Sequence, residues 1–347
     1  MRILTVAGDA GGARALTPVI RRLLKSGAEV ECCAYAAAIK IWASDSFETR
    51  PVFPVELTDY DKILLGTSVS AEKFELEIIR QARAVRVPTI SVLDFWTNYR
   101  ERFTAADGEL VLPGAIAVMD ERAREQMIAL GFPAEILRVT GQPAFDELAR
   151  YRREAATVEE TDGERRAVVS VLYASQPLSQ LYSREQLGFD EREVWSDVAA
   201  ALSEIFSRCN RECILYFKPH PREADGDSPP MIDSAFLKTV IMDAFADPRR
   251  AALDCDLVVG MNSILLLEAC FLSRPVVSYQ PNLLLPDPLP SNERGWSRAV
   301  YRREDLAGAL ESELFDDETR AMRKQTLARI PRHFDAAARI EELIRSI

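Results

Sequence analysis

An apolar strand leads directly into a cationic, proline-rich loop at residues 213–223, which read CILYFKPHPRE. Residues 213–217 predict a buried strand, and Lys218 and His220 follow it, each of them directly before a proline. In open α/β sheets ligands bind outside the carboxyl ends of the strands, where loops carry function and strands carry packing. Because two prolines restrict this loop, we interpret Lys218 and His220 as a preformed ligand-binding pair. The alternative is that His220 caps a turn and Lys218 is a solvated charge.

Short apolar runs alternate with helical patterns on both sides of this loop. The runs lie at residues 3–7, 30–34, 62–65, 89–93 and 115–118 in the first half, and at 167–172, 213–217, 257–260 and 275–279 in the second. Such alternation is typical of parallel sheets with helices on both faces. We predict two Rossmann-like α/β domains with a cleft between them. Their boundaries are 1–153 and 167–315, with a linker at 154–166 and two tail helices within 316–347 that pack back across the domain junction.

Length and composition restrict the class of protein. The chain has 347 residues, 48% of them hydrophobic and 28% charged, and no apolar run approaches the roughly 18 residues that span a bilayer. Residues 1–6 read as a strand and not as a signal-peptide core, and the six cysteines form no C-x-x-C pair, so we expect a cytoplasmic protein with reduced thiols. The net charge of −11 argues against a nucleic-acid partner. The sequence does not indicate an oligomeric state.

Positive charge concentrates on the predicted first helix, at Arg14, Arg21, Arg22 and Lys25. A basic helix face can meet an anionic acceptor or the lipid head groups at the inner face of a membrane. A solvated helix face explains the same pattern. Peripheral membrane contact is therefore an open alternative.

The loop at residues 8–14, GDAGGAR, joins the first strand to the first helix. Gly11 and Gly12 allow a close backbone approach, and free amides at a helix start can hold an anion. The spacing differs from the dinucleotide fingerprint, so a nicotinamide cofactor is not expected. A tight turn would need the glycines but not Asp9, so the segment is either a structural turn or a ligand-binding loop. In the second case Asp9 is a candidate general base.

A second strand-to-helix loop occurs at residues 260–269, GMNSILLLEA. Asn262 or Ser263 is a candidate N-cap, and a helix start beside a hydroxyl is suited to phosphate. Glu268 lies among apolar residues, where an unpaired carboxylate is costly. It needs a partner, for which a ribose diol is a candidate, unless it faces the surface.

These motifs together resemble the C-terminal half of GT-B nucleotide-sugar enzymes. The similarity is to bacterial capsule and cell-surface polymer transferases: sialyltransferases, polysialyltransferases and CDP-glycerol glycerophosphotransferases. It lies in KPHPRE at 218–223, in the loop with Asn262-Ser263 (the serine loop), in Glu268 and in RPVV at 274–277. The segment at 175–179, SQPLS, resembles a donor-side loop of the capsule enzymes. The resemblance implies a GT-B fold with the donor phosphates near Lys218, His220, Asn262 and Ser263, with Ser175 and Gln176 on the donor side, and with Glu268 at the ribose.

The N-terminal half more loosely resembles UDP-N-acetylglucosamine 2-epimerases. VTGQPAFD at 139–146 is similar to their Val-Thr-Gly-Asn-Pro segment at the domain junction. Their His-Arg-Arg-Glu-Asn segment is absent after Leu172, which argues against an epimerase, and the serine loop has Asn262-Ser263 in place of paired serines. The nucleotide therefore stays open among UDP, CDP and CMP.

An acceptor site is predicted at residues 94–102, DFWTNYRER, which follow the strand at 89–93. Aromatic rings stack on apolar sugar faces, so Trp96, Tyr99 and Arg100 are acceptor-binding candidates, together with Gly11, Gly12 and Arg14. A structural aromatic cluster is the alternative. Asp94 and Asp9 are competing bases.

We predict from these motifs a metal-independent glycosyltransferase-like enzyme that moves a sugar from a nucleotide-activated donor to a hydroxyl acceptor, with Asp9, Asp94 and His220 as the catalytic candidates. No cofactor and no metal are expected, because Lys218, His220 and the helix start at Ser263 can stabilise the leaving phosphate. Asp254-Cys255-Asp256 precedes a buried strand, and His333 has no Cys or His companion, so neither predicts a metal site. The alternatives are a 2-epimerase or nucleotide-sugar hydrolase, and a non-catalytic nucleotide-sugar binder.

Overall fold

A computed structural model describes residues 1–69, 72–154, 168–223, 231–330 and 335–347, and the backbone alone of 155–159. It forms two compact units. Unit 1 is Met1–Ala149 together with His333–Ile347, and unit 2 is Arg150–Arg332. Of the linker predicted at 154–166, residues 154–159 continue a helix, and the rest lies outside the described residues.

Strands and helices alternate through both units. The strands are β1 Arg2–Ala7, β2 Glu29–Ala34, β3 Thr49–Arg50, β4 Lys62–Leu65, β5 Thr89–Val92, β6 Ala115–Val118, β7 Leu137–Val139, β8 Val169–Ala174, β9 Cys213–Lys218, β10 Leu237–Ile241, β11 Leu257–Gly260, β12 Val276–Tyr279 and β13 Arg298–Val300. The helices are α1 Ala10–Lys25, α2 Ala37–Ser44, α3 Phe74–Val85, α4 Tyr99–Phe103, α5 Glu121–Ala129, α6 Leu148–Glu159, α7 Arg184–Leu187, α8 Glu191–Cys209, α9 Pro248–Asp254, α10 Ile264–Phe271, α11 Pro290–Glu293, α12 Arg303–Phe315, α13 Asp317–Ala328 and α14 Ala336–Ser346.

The sheet of unit 1 has the order β3-β2-β1-β4-β5-β6-β7 among the described residues, and every neighbouring pair is parallel. The chain starts near the middle of the sheet, builds outward through β2 and β3, and then returns to the other side of β1 with β4. The order therefore reverses between β1 and β4. Crevices at such a topological switch point are where open α/β sheets bind ligands.

Unit 2 repeats this plan with the order β10-β9-β8-β11-β12-β13, again parallel throughout the described part. Its switch point lies between β8 and β11. The predicted α/β class, with a parallel sheet in each of two Rossmann-like units, is confirmed.

Helix α14 covers helix α1 in unit 1. Leu16, Ile20 and Leu23 on α1 are fully buried, as are Ile340 and Ile344 on α14. Asp146 fixes the start of α14, because its carboxylate accepts hydrogen bonds from the backbone amides of Ala336 at 3.1 Å and Ala337 at 2.7 Å. Of the two predicted tail helices, α13 belongs to unit 2 and α14 to unit 1; packing across the junction stays a prediction.

Much of the positive charge on α1 is paired within unit 1. Arg21 contacts both Asp45 and Glu147, and Arg22 donates to Glu341 at 2.6 Å. Two of the four cations that we considered for an anionic partner or a membrane surface, Arg21 and Arg22, therefore form ion pairs within the protein. Among the described residues, no helix combines the length and the apolar character that crossing a bilayer requires.

Candidate functional site

Strand register places three predicted donor-side loops next to one another in unit 2. Lys218, the last residue of β9, pairs with Ala174 at the end of β8, and Ala174 pairs with Gly260 at the end of β11. The loops that follow these strands therefore begin in one row along the carboxyl edge of the sheet. This edge contains the switch point between β8 and β11.

Gln176 and Asn262 join two of these loops by a pair of hydrogen bonds. The side-chain amide of Gln176 donates to Asn262 Oδ1 at 3.1 Å, and its oxygen accepts from the backbone N–H of Asn262 at 3.0 Å. Because one amide holds both the backbone and the side chain of Asn262, the two loops are fixed relative to each other. Gln176 and Asn262, both predicted on the donor side, thus fix the loop that carries Ser263.

A buried amide beneath this pair was missed by the sequence analysis. Gln280, which follows β12, is fully buried and accepts from Asn262 Nδ2 at 3.3 Å. Its own Nε2 donates to Ser278 Oγ at 3.1 Å, and Ser278 donates to the carbonyl of Met261 at 2.6 Å. The signal for it was a lone amide at the end of the apolar run 275–279, where a polar group must find partners.

His220 is oriented by the backbone of its own loop. Its Nδ1 accepts the N–H of Arg222 at 3.1 Å, so in the neutral imidazole the proton is carried by Nε2. The backbone N–H of His220 donates to Glu223 at 2.7 Å, and Ser175 Oγ donates to the other oxygen of Glu223 at 2.9 Å. Burial raises the pKa of Glu223. Through Glu223, Ser175 therefore connects the loop after β8 to the loop after β9 that carries His220.

Lys218 lies beneath this loop, with 4% of its surface exposed. Its Nζ donates to the carbonyl oxygens of Ala244 at 2.7 Å and Pro219 at 3.1 Å. These carbonyl oxygens hold the ammonium at the end of β9, and its positive charge also interacts with the carboxylate of Glu223.

Ser263 is the N-cap of α10, and its Oγ accepts the N–H of Leu265 at 3.3 Å. The start of α10 is thereby placed at the same edge as Lys218 and His220. The unsatisfied amides of a helix start carry partial positive charge, which suits an anion such as a phosphate.

Glu268 has a protein partner. Arg249 donates to Glu268 Oε1 through Nε at 3.1 Å and Nη2 at 2.8 Å, and both side chains are almost completely buried. The partner that the sequence analysis required is therefore present within unit 2. Contact between Glu268 and a ribose stays a prediction.

In unit 1, Asp9 lies at the switch point between β1 and β4. It is 6% exposed, its backbone N–H donates to Ser68 Oγ at 3.2 Å, and its Oδ2 accepts the N–H of Val69 at 2.9 Å. The predicted base is thus tied to the loop after β4.

The predicted acceptor glycines provide close packing inside unit 1. A Cβ on Gly11 would lie 1.9 Å from Asp94 Oδ2, and one on Gly12 would lie 3.2 Å from the backbone of Thr67. The carboxylate of Asp94 therefore lies against the start of α1, where an external anion was considered. Arg14, one turn further along α1, is half-buried.

Asp94 is held by a buried cation. Arg102 Nη1 donates to Asp94 Oδ1 at 2.5 Å and to Thr67 Oγ1 at 2.9 Å, and Thr67 donates to the same carboxylate oxygen at 3.1 Å. Asp94 therefore forms a buried ion pair within unit 1.

The aromatic side chains of the predicted acceptor segment are buried. Trp96 and Tyr99 are each 5% exposed; the indole donates to Asp120 at 3.0 Å and the Tyr99 hydroxyl donates to Gln126 at 2.8 Å. Arg100 donates to the carbonyl of Leu130 at 2.9 Å. These contacts fit the alternative of a structural aromatic cluster, and acceptor binding by the three residues stays a prediction.

A second buried carboxylate near Asp9 was also missed by the sequence analysis. Glu75 on α3 is 3% exposed and accepts hydrogen bonds from the hydroxyls of Tyr35 and Ser68. Its position beside Leu76 and four residues before Ile79, both buried, puts it on the apolar face of the helix. A carboxylate on such a face was the available signal.

The described residues contain no group of three or more metal-binding side chains close enough to hold an ion. Asp256, from the segment 254–256, accepts from the backbone N–H of Ser170 at 2.8 Å and from its hydroxyl at 3.0 Å. It therefore connects the start of β11 to β8. His333 lies outside the described residues.

Three solved structures are similar to this chain in fold at low sequence identity. UDP-GlcNAc 2-epimerase of Neisseria meningitidis, crystallised with UDP-GlcNAc, is 12% identical over 100% of both chains, with a TM-score of 0.69. A putative UDP-N-acetylglucosamine 2-epimerase of Listeria monocytogenes is 16% identical over 100% of this chain and 96% of its own, with a TM-score of 0.67. HepE of Anabaena, crystallised with UDP and glucose, is 16% identical over 100% of both chains, with a TM-score of 0.63.

This likeness establishes the predicted GT-B-type fold for the chain. No protein-family model and no curated protein sequence matches it.

Proposed function

We propose that the protein is a glycosyltransferase that moves a sugar from a nucleoside-diphosphate or nucleoside-monophosphate donor to a hydroxyl acceptor in surface polysaccharide or glycoconjugate biosynthesis. The observation that carries the proposal is the meeting of three loops at the carboxyl edge of unit 2. Lys218, His220 and the start of α10 provide an ammonium, an imidazole N–H and the partial positive charge of a helix start along one edge of the sheet. That combination suits a phosphate whose negative charge grows as it leaves.

We assign the donor to unit 2. In the transfer step, the bond between the anomeric carbon and the phosphate oxygen breaks, and the electron pair stays on the phosphate. The nearby positive groups stabilise that charge, so the step requires no metal ion in this proposal. Gln176, Asn262 and Glu223 position these groups, because they hold the three loops together.

We assign the acceptor and the general base to unit 1, with Asp9 as the base. Asp94 is paired with Arg102, and taking up a proton would leave that guanidinium without its counter-ion. Asp9 lies in the loop at the switch point between β1 and β4, where its carboxylate accepts a hydrogen bond from the backbone N–H of Val69. The acceptor hydroxyl gives its proton to Asp9 as the acceptor oxygen bonds to the anomeric carbon.

A UDP-GlcNAc 2-epimerase or hydrolase is the second candidate, favoured by the likeness to the Neisseria epimerase. It differs in needing no hydroxyl acceptor. Incubation with UDP-GlcNAc alone, followed by proton NMR of the sugar, separates the two: conversion without an acceptor supports epimerase or hydrolase activity and contradicts the transferase.

A thermal-shift panel of UDP, CDP, CMP and GDP tests the donor site first, because a ligand that binds the folded state raises its stability by mass action. We expect a shift with one nucleotide in the wild type and in the control Lys238→Ala, whose side chain is exposed on β10. We expect the shift to be lost in His220→Ala. If no nucleotide shifts the wild type, the proposed function is wrong; if one shifts it and no turnover is found with any donor and acceptor, the protein is a nucleotide-sugar binder.

A further inference from the structure

Glu75 is a buried carboxylate that the proposed reaction does not yet use. It begins helix α3 beneath the Asp9 loop, where Tyr35 follows β2 and Ser68 follows β4. Ser68 Oγ donates to Glu75 Oε1 at 2.7 Å, and the Tyr35 hydroxyl donates to Oε2. Ser68 also accepts the backbone N–H of Asp9 at 3.2 Å. The carboxylate is therefore one hydroxyl away from the backbone of the proposed base.

The three side chains can satisfy their hydrogen bonds in both protonation states of Glu75. When Glu75 is ionised, the hydroxyls of Tyr35 and Ser68 both donate to it. The two hydroxyl oxygens are 3.2 Å apart. When Glu75 is protonated, it can donate to Tyr35, Tyr35 to Ser68, and Ser68 to the second oxygen of Glu75, which closes a ring. Proton gain or loss thus leaves no buried polar atom without a partner.

Charged neighbours set the balance between these states. Burial raises the pKa of Glu75 to about 7, and the negative charge of Asp9 acts in the same direction, while the hydrogen bonds from Tyr35 and Ser68 oppose it. Lys73, just before α3, is the cation that interacts with both carboxylates, and burial lowers its pKa. Burial also raises the pKa of Tyr35, which stays a neutral phenol.

We propose that the ring of Glu75, Tyr35 and Ser68 holds one proton beneath Asp9, and that Glu75 releases this proton to water when Asp9 takes the proton of the acceptor hydroxyl. The pair then carries one negative charge before and after the transfer step. Glu75 is a positioning residue in this scheme, since it acts through the charge of Asp9 and does not touch the substrate. The inference rests on the proposed role of Asp9 as the base.

Titration of the full-length protein tests the coupling without any substrate. Carbon-13 NMR of the glutamate carboxyls should show Glu75 titrating near the value given above. In Asp9→Asn the midpoint should fall by about one pH unit, because a repelling charge is removed. In Tyr35→Phe it should rise, because the ionised form loses a donor. A midpoint near 4.5, the ordinary value for glutamate, or no movement in Asp9→Asn, overturns the proposal.

The pH–rate profile tests the consequence for turnover. We expect a step near neutral pH in the wild type that Glu75→Gln removes, since the amide mimics the protonated carboxyl and cannot ionise. Glu77→Gln, an exposed site two residues further along α3, should keep the step. A step that persists in Glu75→Gln contradicts the proposal. If the protein turns over no donor, the proposed function fails, and the NMR midpoints still decide whether the carboxylates share a proton.

Discussion

The two switch points share a strand plan and differ in charge. In unit 2 the carboxyl edge of the sheet carries Lys218 and His220 at the end of β9 and the start of α10 after β11, and amide side chains fix two of the loops. In unit 1 the crevice between β1 and β4 contains the carboxylates of Asp9 and Glu75. In the proposed function the edge in unit 2 holds an anion and the one in unit 1 moves a proton.

This difference shows which part of each site the fold provides. Parallel strands bring the loop starts to one edge in both units, but the residues after each strand decide the chemistry there. Substitutions of the charged residues in unit 2 should therefore change assays of the donor nucleotide, and substitutions in unit 1 should change turnover and its dependence on pH.

The largest effect is expected in unit 1. Asp9→Asn should lower turnover about 10³-fold, because a general base is lost, and should leave the nucleotide-induced thermal shift intact. Asp94→Asn should instead lower the melting temperature, because it leaves the Arg102 guanidinium buried beside a neutral amide. Steady-state kinetics and thermal unfolding of both variants measure this. Full activity of Asp9→Asn together with a folded, inactive Asp94→Asn would exchange the two roles.

The next effect concerns Arg249 and Glu268 in unit 2. Arg249→Met should lower the free energy of unfolding by about 3–5 kcal/mol, because it leaves a buried carboxylate without its partner. The double variant Arg249→Met with Glu268→Leu should regain most of that stability. Denaturant unfolding measures both changes. If the stable double variant has lost affinity for the nucleotide, Glu268 also contacts the ligand; if affinity is unchanged, the pair serves stability alone.

Glu75 should also make the stability of unit 1 depend on pH. The folded-state pKa of Glu75, about 7, lies above its ordinary value of 4.5, so the folded protein binds this proton more tightly than the unfolded chain. Its contribution to stability is complete below pH 4.5 and is lost as the pH rises through 7, a change of about 3 kcal/mol. Urea unfolding between pH 4 and pH 8 measures it. Glu75→Gln should flatten this dependence and Glu77→Gln should retain it.

His220→Ala should lower turnover about 10²-fold through loss of a donor to the leaving phosphate, with little change in melting temperature without ligand. The matched control is again Lys238→Ala. Unchanged turnover in His220→Ala would remove the histidine from the site and end the contrast between the two switch points.

The smallest effect is expected for the buried amide of unit 2. Gln280→Leu removes the partner of Asn262 Nδ2 and should weaken nucleotide binding about tenfold, or about 1.4 kcal/mol, and raise KM more than it lowers kcat. Ser297→Ala removes hydrogen bonds to Asn292 and Ser291, further along the same network, and should leave affinity unchanged. Isothermal calorimetry compares them. Equal losses in both variants would mean that Gln280 acts only through general stability.

The sequence predicted the inner strands because parallel strands buried on both faces read as continuous apolar runs. The edge strands β3, β7, β10 and β13 match none of the predicted runs. Runs such as 213–217 and 257–260 mark β9 and β11 within one residue at either end. The loop residues after them were equally visible, since Lys218, His220 and Ser263 directly follow such runs.

Pairing between distant residues was not visible in the sequence. Arg249 lies on a different helix from Glu268, and Tyr35, Ser68 and Glu75 come from three separate elements. Only the register of strands and the packing of α3 bring them together. The residue pattern shows that Glu268 needs a partner, but the partner is chosen by tertiary packing.

The return of the chain to unit 1 has a consequence for biosynthesis. The apolar face of α1 is covered by α14, whose residues are made only after all of unit 2. At about 5–20 residues per second, the ribosome needs roughly 10–40 s for residues 150–332. During that interval α1 lacks the contacts that it makes with α14 in the folded protein, so unit 2 can complete its folding before unit 1 does.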